Sequence, residues 1–313
     1  APLDDPAPSS PSRASMTADS ATIRVLDASL NRATEGLRVV EDYVRFVLDD
    51  RLLTELVKRL RHDLAAAAAV PPAARHAARD TARDVGTQVS TASEAARADA
   101  WAVCQASLER TKQSLRSLEE FGKVAAPVAA AAFEALRYRL YEVEAALGRT
   151  VDAVARLQGV NLCVLVDGRA DESAFAALVG ELIDAGVPAI QLRDKSLAVR
   201  DLVARARRLV AAARASGRTL AIINDRPAVA AAAGADGVHL GQDDFAVKDA
   251  RAIVGSHALI GASTHSLDQA RQAVLDGANY IGVGPTFPSA TKSFDAYPGT
   301  DLLGSVAREI RLP

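Results

Sequence analysis

The sequence is poor in sulfur and aromatic side chains. Its 313 residues include two cysteines, one methionine and one tryptophan, and aromatic residues make up only 4%. The two cysteines, Cys104 and Cys163, cannot build a disulfide framework and offer too few ligands for a structural zinc cluster. Each reads as a small apolar packing residue. Positive charge is not in excess: 37 Lys and Arg face 39 Asp and Glu, a net charge of −2. With no such excess to drive counterion release, nucleic acid is not expected as a partner. Apolar runs are short and alanine-rich, as at 64–72 and 125–133, far below the roughly 18 residues of a membrane span. Residues 1–20 are rich in Pro, Ser, Ala and Asp and lack the apolar core of a secretory signal, so they read as a disordered leader. A hydrophobic share of 49% against 24% charged is that of a globular chain, and the expected location is the cytoplasm.

At about 150 residues per domain the length suggests two domains. Residues 21–148 read as an all-α helical domain. Val25, Leu26, Leu30, Ala33, Leu37, Val40, Val44 and Val47 recur at three and four residues, the stripe of a long amphipathic helix. A second helix is expected over 52–69, stopped by Pro71-Pro72. A third is expected over 93–121, with Ser93 and Glu94 at its start, and a fourth runs from Pro127 to Gly148. A linker follows over 149–160. From 161 to 313 short apolar runs alternate with helical stretches: 162–166, 189–192, 220–223, 237–240, 259–262 and 280–283. Near-continuous apolar strands alternating with helices predict a parallel sheet buried on both faces. A (β/α)8 barrel usually takes about 250 residues, so these six strand–helix units read as a barrel truncated after the sixth, or as an open sheet.

The polar residues of this half follow the strand runs at their C-terminal ends, where parallel α/β folds place their sites. Gln191, Arg193 and Lys195 follow the second run, Asn224 and Asp225 the third, and His239 and Asp244 the fourth. Ser263 and His265 follow the fifth; Ser289, Thr291 and Lys292 come after the sixth. Asp225 and Asp244 are oxygen ligands of the kind Mg²⁺ prefers, leaving room in its shell for water and phosphate oxygens. Arg193, Lys195 and Lys292 supply donors for those oxygens, and Ser263, Ser289 and Thr291 add hydroxyls. Singly, Arg193 reads as a surface ion-pair member, and His239 and His265 read equally well as structural. Five successive strand ends carrying such groups point to a metal-bound diphosphate.

QLRDK (191–195), INDR (223–226), DGVHLGQDD (236–244), IGASTHS (260–266) and YIGVGPTFPSATK (280–292) together resemble the thiamine-phosphate synthase family. The resemblance implies a TIM barrel, with Mg²⁺ as cofactor and two small-molecule substrates. It implies that 4-amino-5-hydroxymethyl-2-methylpyrimidine diphosphate loses pyrophosphate and that the thiazole nitrogen of a thiazole phosphate captures the resulting cation. It assigns Gln191, Arg193, Lys195, Asn224, Ser263 and Lys292 to the pyrimidine diphosphate, and Ser289 and Thr291 to the thiazole phosphate. Asp225 and Asp244 fall to the metal, with Ser263 and Lys292 in catalysis. The chain has Ser289 where the family commonly has threonine, which keeps the hydroxyl.

Arg24–Phe46, with KRLRHDL, RDTARDVGT and RSLEEFGK after it, resembles the helical domain fused to some members, which has been proposed to phosphorylate the pyrimidine monophosphate. Asp27, Asn31, Glu35, Arg38, Asp42 and Arg45 share one helix face, which on spacing alone reads as a solvated, salt-bridged surface. No P-loop pattern is present. Two other readings stay open: a thiazole tautomerase-like barrel, against which Asp225, Asp244 and Lys292 argue, and a non-catalytic protein that binds a phosphorylated ligand. Association into a homo-oligomer is also left open.

Overall fold

The computed structural model describes residues 20–82, 84, 96–288 and 297–313. The leader up to residue 19, Ser93, Glu94, Ser289, Thr291 and Lys292 lie outside the described residues. The chain divides into two compact units. One takes the residues up to Val40 with Arg59–Arg139, and the other Glu41–Lys58 with Leu140–Pro313.

The N-terminal region is helical: α1 (Ser20–Tyr43), α2 (Arg51–Ala67), α3 (Pro72–Ala78), α4 (Ala100–Ala125) and α5 (Pro127–Arg156). On α1 the expected stripe is buried at Leu26, Leu30, Ala33, Leu37 and Val40. Val47 departs from it and is exposed. The chain leaves α geometry in a π turn over Val44–Leu48, and the wider turn rotates later residues off the stripe. Pro72 does more than stop a helix. It occupies the first turn of α3, where its missing N–H is no loss. α4 starts at Ala100, capped by Asp99, whose carboxylate accepts from the Ala102 N–H at 2.7 Å. Gly148 does not close α5, which continues to Arg156; the left-handed glycine comes only at Gly159, φ +83°.

Within the helical unit α1 and α4 cross closely at Gly36. A Cβ there would lie 2.2 Å from Thr111 Oγ1 and 3.0 Å from the Ser107 carbonyl oxygen. Gly36→Ala should therefore lower stability by about 1–3 kcal/mol, the usual range for overpacking, read as a drop in the thermal midpoint. An unchanged midpoint would show that the crossing has slack.

The second unit carries six strands: β1 (Cys163–Val166), β2 (Ala189–Leu192), β3 (Leu220–Asn224), β4 (Gly237–Leu240), β5 (Leu259–Thr264) and β6 (Tyr280–Val283). They lie in sequence order, every neighbour parallel, and curl into a half-barrel. The connections are α6 (Glu172–Asp184), α7 (Val199–Ser216), α8 (Pro227–Ala233), α9 (Val247–Val254) and α10 (Leu267–Asp276), with α11 (Gly299–Glu309) following β6. The two shortest, α8 and α9, were not visible as periodic stretches in the sequence. Burial on both faces holds for β2, whereas β1 and β6 are only partly covered and Leu165 is 57% exposed. Outside β6 the Pro313 carbonyl accepts from the Ile281 N–H at 2.8 Å.

Asp50 ties the early residues of this unit to its late ones. Its buried carboxylate caps α2 through the Leu53 N–H at 2.8 Å and accepts from the Arg311 N–H at 2.8 Å. Burial raises its pKa above the usual carboxylate value, against the pull of those donors.

Candidate active site

The C-terminal ends of β2, β3 and β4 open into a cleft of about 670 Å³ lined by Asp194, Lys195, Asn224, Asp225, Arg226, Asp243, Asp244 and Phe245. The backbone turn at each strand end aims these groups. Asp225 follows β3 in the left-handed region, φ 58°, a conformation costly for a non-glycine residue and common where function demands it. Its N–H is fixed on the His239 carbonyl at 2.8 Å. Pro227 then starts α8, so the chain turns away and leaves the carboxylate on the cleft. Asp244 sits in a tight loop after β4 and accepts from the Gly241 N–H at 2.7 Å.

The Asp244 carboxyl stands within hydrogen-bonding reach of Asp225. Burial, followed by this second carboxylate, raises the Asp225 pKa above its ordinary value. Lys195 offsets part of that from 3.4 Å. Two converging carboxylates with one ammonium form a site that gains from a divalent cation, so the residues fit Mg²⁺. Among the described residues no cluster of three His, Cys, Asp or Glu side chains is placed to hold a metal. The pair alone leaves most of the coordination shell to water and ligand oxygens.

Four of the sequence-expected residues, Lys195, Asn224, Asp225 and Asp244, share this cleft. Gln191, Arg193 and Ser263 are not among its lining residues. Gln191 is buried on β2, and Arg193 is half-buried, its N–H on the Val166 carbonyl at 2.8 Å. Ser263, on β5, lies 3.0 Å from His239 Nε2, whose Nδ1 lies 3.2 Å from the Tyr280 hydroxyl. Burial keeps the phenol protonated by raising its pKa, and pushes the His239 pKa down to about 4. The imidazole is neutral. In the tautomer in which Tyr280 donates to Nδ1, Nε2–H donates to Ser263 and leaves the serine proton free for a ligand; in the other, Nε2 accepts from the Ser263 hydroxyl. His265 Nδ1 lies 2.6 Å from the Gly284 carbonyl and has a structural place.

Sequence reading missed Tyr280, hidden as the first residue of an apolar strand run. It also passed over Arg226 and Phe245 as lining residues. Asp194 is a loop organiser: it accepts from the Gly168, Ser196 and Leu197 N–H groups and from the Ser196 hydroxyl. The Ser196 hydroxyl first, then the Gly168 N–H, hold its pKa down to about 2. The Asp-x-Ser pattern at 194–196 was the available signal.

The depressed His239 pKa gives stability a pH dependence. The unfolded chain takes up a proton near pH 6.5, the folded one only near 4, so this contribution is complete above about 6.5 and is lost as pH falls toward 4. Between pH 7 and 4.5 the native chain should lose about 2 kcal/mol more than the His239→Gln variant, measured by urea unfolding. Equal losses would show that His239 does not titrate in this way.

Parallel strands with a charged cleft at their C-terminal ends define an α/β enzyme of the barrel type. Residues 162–313 match the family described as thiamine monophosphate synthase, and residues 24–146 match the ThiD2 family. The thiamine-phosphate synthase of Rhodopirellula baltica is 47% identical over 296 residues, covering 93% of this chain and 79% of that protein. That of a Synechocystis species is 40% identical over 281 residues, covering 87% and 77%. A solved thiamine phosphate pyrophosphorylase from Pyrococcus furiosus is 32% identical with a TM-score of 0.44, over 49% of this chain and 72% of that one. The chain belongs to the thiamine-phosphate synthase family, transferases of thiamine biosynthesis. Among the described residues no helix is long and apolar enough to cross a membrane.

Proposed function

We propose that the chain joins 4-amino-5-hydroxymethyl-2-methylpyrimidine diphosphate to the thiazole phosphate in the cytoplasm, giving thiamine phosphate and pyrophosphate, with Mg²⁺ as cofactor. The observation that carries this reading is the facing pair Asp225 and Asp244 with Lys195 beside them. Mg²⁺, when bound, supplies positive charge for the leaving pyrophosphate. Asp225 and Asp244 would hold the cation. Lys195, Arg193 and Asn224 hold diphosphate oxygens, and Gln191 orients the pyrimidine. The bond between the pyrimidine methylene carbon and the diphosphate oxygen breaks with its electrons on oxygen, and the thiazole nitrogen then bonds to that carbon. Ser263, held by His239, lies beside the reacting methylene, and Lys292 grips the leaving group. Ser289 and Thr291 take the thiazole phosphate. The helical unit supplies the diphosphate by transferring the terminal phosphoryl group of a nucleoside triphosphate to the pyrimidine monophosphate, which releases the nucleoside diphosphate.

The test is thiamine phosphate and pyrophosphate formation from both phosphorylated substrates, with and without Mg²⁺. Product that depends on Mg²⁺, one pyrophosphate per thiamine phosphate, supports the reading. Thiazole isomerisation with no pyrophosphate would give the site to a tautomerase, and binding without turnover would make it a carrier of phosphorylated ligands.

A further inference from the structure

Asp194 does not hold its loop alone. Gly168, in the connection between β1 and α6, has its backbone held from two sides. Its N–H donates to Asp194 Oδ2 at 3.0 Å, and its carbonyl accepts from Arg205 Nε–H at 3.0 Å. Gly168 is buried, and a Cβ there would lie 2.1 Å from Leu197 Cδ1 and 3.2 Å from Asp194 Oδ2. The connections after β1 and β2 are therefore in direct contact. The next residue, Arg169, stands in the left-handed region at φ 58°, a conformation that persists only where its surroundings hold it. Arg205 reaches this turn from α7. It is buried, its guanidinium 6.0 Å from the ring of the fully buried Phe175 on α6, and its carboxylate partner, the exposed Glu172, is 3.6 Å away. A guanidinium buried for one carbonyl and one wide ion pair gains no stability over a well-packed apolar side chain. Its position behind the strand ends of the cleft calls for another reason.

We infer that Arg205 is a positioning residue for Lys195, acting on it through Gly168 and Asp194. The two oxygens of Asp194 divide the work. Oδ1 accepts from the Ser196 and Leu197 N–H groups and from the Ser196 hydroxyl, which folds the chain after Lys195 into a closed turn. Oδ2 ties that turn to Gly168, and Arg205 fixes Gly168. The Lys195 side chain is 70% exposed, with its ammonium 3.4 Å from Asp225. A lysine is a point charge on a flexible stem, so its aim depends on where its backbone is pinned. Without Arg205 the Gly168 carbonyl loses its donor, Oδ2 loses a fixed anchor, and the turn carrying Lys195 shifts as a body. The cost falls on the diphosphate substrate and spares the thiazole phosphate. The ligand of Lys195 rests on the synthase reading; the clamp of Arg205, Gly168 and Asp194 does not.

The experiment is a double-mutant cycle on the full chain with Arg205→Met and Lys195→Met, each substrate varied in turn. Arg205→Met should lower kcat/KM for the pyrimidine diphosphate about tenfold, since small misplacements of a binding group are costly, and leave KM for the thiazole phosphate within about twofold. Arg205→Lys, whose ammonium can still donate to the Gly168 carbonyl, should recover most of the loss. In the Lys195→Met background the same Arg205→Met change should cost less than about twofold, because both act on one contact. A full tenfold loss in that background, or an equal loss for both substrates, would overturn the inference. Amide hydrogen exchange at Ser196 and Leu197 reads the clamp without substrate. It should quicken in Arg205→Met and return toward native in Arg205→Lys; unchanged exchange would overturn the clamp whatever the activity. Circular dichroism checks that the methionine variant folds, and Arg205→Gln takes its place in both comparisons if it does not. A native chain that makes no thiamine phosphate, but whose loop still loosens in Arg205→Met, would sink the synthase reading and keep the clamp.

Discussion

Asp225→Asn should lower kcat/KM for thiamine phosphate formation by at least a hundredfold while leaving the fold intact or slightly more stable. Both halves of this result follow from the same geometry. Asp225 sits in a left-handed backbone position, partly buried, with the Asp244 carboxyl in reach and only the exposed Lys195 to offset it. Neutralising it removes a like-charge conflict, so the apo chain should unfold at the same temperature or a little higher. Under the proposed metal assignment its loss costs one of two charged oxygen donors, and removing one preorganised electrostatic group typically costs two to three orders of magnitude in rate. Asp243→Asn, at the same cleft, is the control and should change the rate by less than tenfold. The assay is pyrophosphate release at saturating Mg²⁺, paired with a thermal scan of each variant. Activity within threefold of the native chain in Asp225→Asn would remove the metal assignment.

The second large effect lies one strand over. Gly261 is paired with His239 on β4 and with Tyr280 on β6, so the three residues form one row across the sheet. The missing side chain in the middle lets the outer two rings meet over it, centroids 5.4 Å apart. A Cβ at Gly261 would lie 2.1 Å from Tyr280 Cζ and 2.5 Å from His239 Nδ1. No rotamer change of one ring relieves both contacts. Gly261→Ala should cost about 2–3 kcal/mol, at the upper end for overpacking, and should drop kcat/KM more than tenfold because His239 can no longer hold Ser263. Unfolding in urea gives the first number and the synthase assay the second. A variant with native stability and native rate would show that the row is not packed as described.

How much of this was legible in the sequence depends on the kind of signal. The six strands were plain because parallel strands buried by helices are continuous apolar runs, and 189–192, 237–240 and 280–283 carry polar interruptions only at Gln191 and His239. The strand-end carboxylates stood out for a related reason: Asp225 comes two residues after the apolar run that ends at Ile223, and Asp244 four residues after the one that ends at Leu240. Helix ends were less legible. Gly148 invites a stop, but a glycine ends a helix only where the backbone takes the left-handed turn, and here it stays helical. The π turn after Tyr43 has no sequence signature at all, and it alone moved Val47 from core to solvent. Tyr280 was unreadable as a partner of His239, since nothing in a single strand's sequence reports which residue stands two strands away across a glycine.

Asp50 and Arg311 are separated by 261 positions, and that distance has a consequence for how the protein is made. During synthesis the buried carboxylate of Asp50 emerges early and has no Arg311 N–H to satisfy it until the α/β stretch has left the ribosome. The α/β unit is therefore a late-closing body that borrows an early segment, while all the chain of the helical unit has been made by Arg139. The entropy of closing so long a loop grows only logarithmically with length, so the finished unit loses little stability by it. The delay falls on rate, as it does for contacts of large sequence separation. A nascent chain arrested near residue 290 should hold a protease-resistant helical unit beside an Asp50 turn that remains open to cleavage.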